Sequence, residues 1–169
     1  ELADRNYNPS HIHELFHQWF GNYVTAESWA NIALNESFAD LSEVLWAEYK
    51  HGKDVADAHL QIGLEGYLNN PNNWNISLIR YDYPEASQMF NGVTYQKGGR
   101  ILNMLRHFLG NKMFETGLQF YLKENAYGTA EADDFRIAME EVSGIDLNWF
   151  FNEWFYGAGH PILDISYKW

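Results

Sequence analysis

Apolar residues recur along most of this chain at intervals of three and four, the repeat of a helix with one buried side, and only its last stretch alternates residue by residue. Ile12, Leu15, Phe16, Trp19 and Phe20 form the first stripe. Asn8 before Pro9 supplies an N-cap with proline in the first turn, and Gly21 supplies the stop, so a helix is predicted over residues 9–20. Trp29, Ile32, Ala33, Phe38, Leu41, Leu45, Trp46 and Tyr49 predict a longer helix over about residues 27–50, with Gly52 as its exit. The short link makes these two antiparallel neighbours. A third helix over residues 54–68 ends at Asn69-Asn70-Pro71-Asn72-Asn73, because the residue before a proline is driven out of the helical region. The chain then reads as loop as far as Asn91, with an extended stretch over residues 76–83. Helices resume over 95–109, 112–124, 132–142 and 147–156, punctuated by Gly110, Gly128 and Gly144. After Pro161, Ile162, Asp164 and Ser166 alternate against Leu163, Ile165 and Tyr167, which predicts one strand.

Chemistry concentrates in the first two helices. On a helix, side chains four apart share a face, so His13 and His17 can offer two imidazole nitrogens to one metal ion. Glu14 sits about 100° around the helix from His13, within reach of a water at the metal without being a ligand, which is a general base's position. A catalytic zinc takes three protein ligands and keeps one position open, and Glu36 on the second helix is the candidate third ligand. A centre of two imidazoles and one carboxylate keeps net positive charge, which acidifies water and polarises a carbonyl. The competing reading is plain polar surface. The apolar setting of Ile12, Leu15, Phe16, Trp19 and Phe20 counts against it, since ionisable groups there are costly unless paired or metal-bound. Asp40 and Glu43 share the Glu36 face, and either can accept a hydrogen bond from the far nitrogen of a ligand histidine. His11, His51, His59, His107 and His160 have no ligand spacing to the trio and read as surface or loop residues.

His13 to Thr25, HELFHQWFGNYVT, followed by Trp29 and by Leu34-Asn35-Glu36-Ser37-Phe38-Ala39, resembles the zinc signature of the M1 metallopeptidases, the gluzincin aminopeptidases. Thr94-Tyr95-Gln96-Lys97-Gly98-Gly99 resembles that family's Tyr-x-Lys-Gly segment, and Trp154 to Pro161, WFYGAGHP, its W-x4-G-x-P element. The resemblance implies a mainly α fold, the helical subdomain of a thermolysin-like gluzincin catalytic domain, ending in a short β-strand. It implies one catalytic Zn2+ ion held by His13, His17 and Glu36, Glu14 as the base that activates a water at the zinc, and Tyr95 as the hydroxyl that stabilises the oxyanion. It favours Glu43 over Asp40 as the partner of a ligand histidine. The implied activity is zinc-dependent peptide-bond hydrolysis, the removal of N-terminal amino acids by a full-length parent. Residues 1–169 are then a single domain, the C-terminal part of an M1-like catalytic domain, with the N-terminal β part carrying the amine-anchoring segment and the following domains lying outside this chain. The strand after Pro161 would pair with the first of those domains. Ala138-Met139-Glu140-Glu141 superficially resembles the amine-anchoring Gly-x-Met-Glu-Asn segment, but it lies within a predicted helix and lacks the glycine and the asparagine. Alternatives sharing the site are a zinc endopeptidase and an epoxide-hydrolase-like relative of the leukotriene hydrolase kind. A non-catalytic helical interaction module is a third, against which Glu14 and Tyr95 speak.

Composition narrows the partners. Hydrophobic residues make up 46% of the chain and aromatic ones 17%, with seven Trp, which suits a well-filled core rather than disorder. The aromatic residues read as core before they read as a ligand platform. A net charge of −12 argues against a nucleic-acid partner, which would want a basic face, and against an anionic membrane surface. No apolar run is long enough to insert in a membrane. The partners expected are a peptide substrate and the missing domains of the parent chain. There is no cysteine, hence no disulfide and no thiolate metal site, and the compartment stays open.

Overall fold

The computed structural model describes residues 9–168. The N-cap expected at Asn8 lies outside them. In chain order the elements are α1 (Pro9–Phe16), β1 (Thr25–Ala26), α2 (Ala33–His51), α3 (Lys53–Leu68), α4 (Gly98–Leu109), α5 (Asn111–Glu124), β2 (Thr129–Ala130), α6 (Ala132–Ser143) and α7 (Asn148–Trp154). Short 3-10 turns occupy Trp29–Asn31, Pro71–Asn73 and Ala86–Met89, and a π-helical turn over Val93–Lys97 runs directly into α4. The mainly α class expected from the pattern is the one observed.

Helix α2 is the hub and packs against α1, α3, α4 and the π-helical turn. Its Leu34, Phe38 and Leu41, spaced four and three apart, are fully buried on one side. Gly52 turns α2 into α3 with a single residue between them, so the two run as a tight hairpin. The core stacks outward from Phe38, with Phe20 at 4.2 Å face to face and Phe135 at 5.0 Å edge-on. Each such buried ring contributes about 1.5–3 kcal/mol. Aromatic side chains from the end of α1, from α5, α6 and α7 thereby fix the ends of the helices that carry the polar residues.

Three features differ from the sequence pattern. Helix α1 closes at Phe16, not at Phe20, because Gln18 and Trp19 bond three residues back, to the Leu15 and Phe16 carbonyls, and tighten the chain into a turn. The His17 N–H still reaches the His13 carbonyl at 3.3 Å, so the four-residue relation between the histidines survives. Gly21 completes the turn at φ 150°, where a Cβ would approach the His17 carbonyl oxygen to 2.9 Å. The second helix begins later, with a 3-10 turn ahead of Ala33. The strand expected after Pro161 is a correction: among the described residues no position from 161 to 168 belongs to a strand, and Ile162, Leu163 and Ile165 are exposed. Alternation yields a strand only where a neighbour completes the hydrogen-bond ladder, and none does here.

The sheet that does form has two strands of two residues. Thr25 and Thr129 pair in parallel, as do Ala26 and Ala130, tying the loop after α1 to the α5–α6 connection. The buried Asn31 strengthens this tie: its Oδ1 accepts the Ala132 N–H at 3.0 Å, at the start of α6. No helix of the described residues is long and apolar enough to cross a membrane.

Candidate metal centre

Helix α1, the turn after it and the first turn of α2 bring three donors, His13, His17 and Glu36, to one point. His13 Nε2 lies 3.3 Å and His17 Nε2 3.4 Å from the same Glu36 oxygen, Oε2. This is the one such donor cluster among the described residues, all three donors lying within 4.8 Å of one another. A tetrahedral ion with ligand bonds of about 2.0–2.1 Å separates its donors by about 3.3 Å, which is the spacing of each imidazole nitrogen from Glu36 Oε2.

The far nitrogens are fixed too. His13 Nδ1 donates to Glu43 Oε1 at 3.0 Å, and His17 Nδ1 donates to the Phe20 carbonyl at 3.0 Å. Each Nδ1 is held as a donor in this arrangement, which leaves Nε2 as the nitrogen that faces Glu36 and that would ligate a metal once its proton is released. Glu43 lies two helical turns beyond Glu36, and its second oxygen, Oε2, is 3.3 Å from His59 Nε2 on α3. Glu43, rather than Asp40, is therefore the carboxylate that holds a histidine of the cluster.

Electrostatics mark the cluster as a place where positive charge is held. Hydrogen bonds to Glu36 and then Glu43 outweigh burial and push the His13 imidazole up to about 9. His17 is raised as well, chiefly by its bond to Glu36. Burial acts to raise the Glu36 carboxyl, but the hydrogen bonds from the two imidazoles prevail and hold it at about 2. Burial and the neighbouring Glu43 charge push Asp40 up to about 6. A carboxylate wedged between two imidazoles is stabilised by two protons or by one divalent cation in their place.

Glu14 is exposed on α1 beside the cluster. The Tyr95 ring stands over His13, centroids 5.9 Å apart. Burial, and then the negative charge of Glu36, push the Tyr95 phenol well above its usual range, with Glu14 adding to the effect. Tyr95 is consequently a firm O–H donor at neutral pH. It sits in the π-helical turn, whose widened backbone is held by Ser37 Oγ donating to the Thr94 carbonyl at 2.6 Å.

The remaining histidines divide. His11 and His51 are exposed, His107 bonds back to the Asn103 carbonyl, and His160 packs half-buried against Tyr67 and Trp74. His59 is a correction, because it is a partly buried helix residue and the outer partner of Glu43. A signal for it was available, since Glu43 and His59 stand at comparable distances on either side of Gly52, and a helical hairpin lays such positions opposite one another.

Residues 4–154 match the model of the Peptidase family M1 domain. The chain belongs to peptidase family M1. It is 35% identical over 158 residues to tricorn protease-interacting factor F2 of Thermoplasma volcanium, covering 91% of this chain and 20% of that protein. To glutamyl aminopeptidase of Bos taurus it is 34% identical over 161 residues, covering 91% of this chain and 16% of the relative. The chain thus spans about a fifth or less of the length of these relatives. Among solved structures, the M1 zinc metallopeptidase of Deinococcus radiodurans superposes with a TM-score of 0.76 at 25% identity, covering 94% of this chain and 34% of that one. Native leukotriene A4 hydrolase of Saccharomyces cerevisiae superposes at 0.81 over 96% of this chain and 28% of that one, and at 24% identity it speaks for the M1 fold alone.

Proposed function

We propose that this chain carries the zinc centre of an M1 aminopeptidase, and that the longer protein it belongs to removes N-terminal amino acids from peptides. The observation that carries the reading is the convergence of His13 Nε2, His17 Nε2 and Glu36 Oε2, with each imidazole anchored through its opposite nitrogen. These three residues hold the ion, and Glu43 keeps His13 in the required tautomer. Bound there, zinc supplies Lewis acidity, acidifying water and polarising the scissile carbonyl. The Glu14 carboxylate takes a proton from the attacking water and returns it to the departing amine. The Tyr95 hydroxyl donates a hydrogen bond to the oxygen on which negative charge develops, and the elevation of its pKa keeps that proton in place.

Elemental analysis of the purified chain should give one zinc, and His17→Ala should abolish it. In the longer enzyme, Glu14→Gln should retain zinc while hydrolysis of aminoacyl reporters falls by about two to four orders of magnitude. A Glu14→Gln enzyme that stays active would remove the general-base assignment, and a His17→Ala chain that keeps one tight zinc would remove the ligand set. Free-amine and N-blocked reporters separate the aminopeptidase from an endopeptidase built on the same centre.

A further inference from the structure

On the other side of the π-helical turn from the metal cluster lies a cavity of about 360 Å³, between α3, α4, α7 and the segment after Pro161. Its walls are mainly aliphatic, with Leu64, Leu68, Ile101 and Met104 contributing. Lys97 and Arg100, one helical step apart, also line it, and no carboxylate does. Lys97 is 7% exposed. Among the described residues its ammonium has neither a hydrogen bond nor an ion pair. Arg100 spends one N–H on the Leu60 carbonyl at 2.8 Å and meets no acid. The Tyr67 hydroxyl and His160 satisfy each other at 3.1 Å, so they do not answer the two cations.

The Lys97 side chain is mostly buried, yet its ammonium keeps access to solvent at a wall that offers it no counter-charge. Two cations drawn against an apolar wall lose hydration that a bound anion would offset. The chain has 23 acidic residues against 11 basic ones, so an acid for this wall was not in short supply. Burial already pushes both cations below their usual ranges, which a neighbouring anion would reverse. We propose that the cavity is a binding site for a small amphipathic anion, an aliphatic carboxylate whose tail fills the apolar space and whose head is held by Lys97 and Arg100. The volume is at the lower end of what small-ligand pockets enclose, about 300–1,000 Å³. The site shares no residue with the zinc ligands, and the proposal stands whether or not the metal centre is catalytic.

The test is calorimetric titration of the chain with decanoate, decanol and decyltrimethylammonium, all below their micellar concentrations. Decanoate should bind at one equivalent, about tenfold more tightly than decanol, with the cation weakest. Lys97→Met, which replaces the ammonium with a neutral side chain of similar length, should hold Tm and reduce the preference for decanoate over decanol to about threefold or less. Arg100→Met should reduce it independently, which keeps the test open if the first variant does not fold. Met104→Trp, which fills the cavity, should remove decanoate binding. Equal binding of decanoate and decanol, a preference that persists in both cation variants, or decanoate binding undiminished in Met104→Trp would overturn the proposal.

Discussion

Gly98 is where α4 presses hardest on α2, and Gly98→Ala measures how strongly that contact holds the Tyr95 turn. In an ordinary helix interior this change stabilises by about 1 kcal/mol, because alanine loses less backbone freedom than glycine. Here a Cβ at position 98 would overlap Ser37 Oγ outright, and would fall 2.8 Å from Ser37 Cβ and 3.0 Å from Leu78 Cδ1. Ser37 Oγ can rotate aside only by abandoning its 2.6 Å hydrogen bond to the Thr94 carbonyl. Its Cβ cannot move without α2. Overpacking a filled interior costs about 1–3 kcal/mol, and losing the Ser37–Thr94 hydrogen bond costs about 1 more. These exceed the propensity gain, leaving a net loss of about 1–3 kcal/mol. At about 2–4 °C per kcal/mol for a domain of this size, a mid-range loss of about 2 kcal/mol lowers Tm by about 4–8 °C. Thermal melts followed by circular dichroism on Gly98→Ala, Ser37→Gly and the double variant give the answer. Ser37→Gly removes both colliding atoms, so the double variant should be more stable than the sum of the single effects by about 1–3 kcal/mol. An unchanged or raised Tm in Gly98→Ala, or strict additivity, would refute the steric argument.

Other expectations concern the metal cluster and the α6 junction. Glu43→Gln should weaken zinc binding by about 10–100-fold without changing its stoichiometry, measured by competition with a chromophoric chelator, since the residue orients His13 and does not ligate. Zinc affinity should rise with pH between about 6.5 and 9, because His13, held up to about 9 by Glu36 and Glu43, must release a proton to bind metal. The same shift gives the metal-free chain stability that is fully present below pH 6.5 and lost as pH rises through about 9. The depressed Glu36 contributes stability present above pH 4.5 and lost as pH falls toward 2. Melts of the metal-free chain that gain stability from pH 6.5 to 9 would contradict the His13 sign. Asn31→Ala should lose about 1–3 kcal/mol in denaturant titration, as it strips the partner from the buried Ala132 N–H.

Local rules carried far in this protein. The helix repeat, the glycine exits at Gly52, Gly110 and Gly144, and the proline after Asn70 all depend on residues within a turn of each other, and the observed helices start or stop close to them. The His13–His17 pair is local in the same way, since one turn of backbone sets both side chains on one face. Glu36 was reachable because it lies on the next helical stripe, although the connection that brings the first turn of α2 back over α1 runs over residues 17–32, longer than the pattern suggested. Tyr95 was legible only through the likeness of its flanking residues to a known family, as no spacing connects it to the histidines. Three things depended on the tertiary structure. The π-helical turn is tied to α2 by Ser37, far away in sequence, which holds the Thr94 carbonyl. His59 meets Glu43 only once α2 and α3 have folded into a hairpin. The alternation after Pro161 makes no strand, because a ladder is a property of two segments and not of one. Sequence by itself determined what each segment could become and which donors it could offer. The fold decided which donors meet, because a contact between distant residues is set by the packing of whole helices and is written in no single stretch of chain.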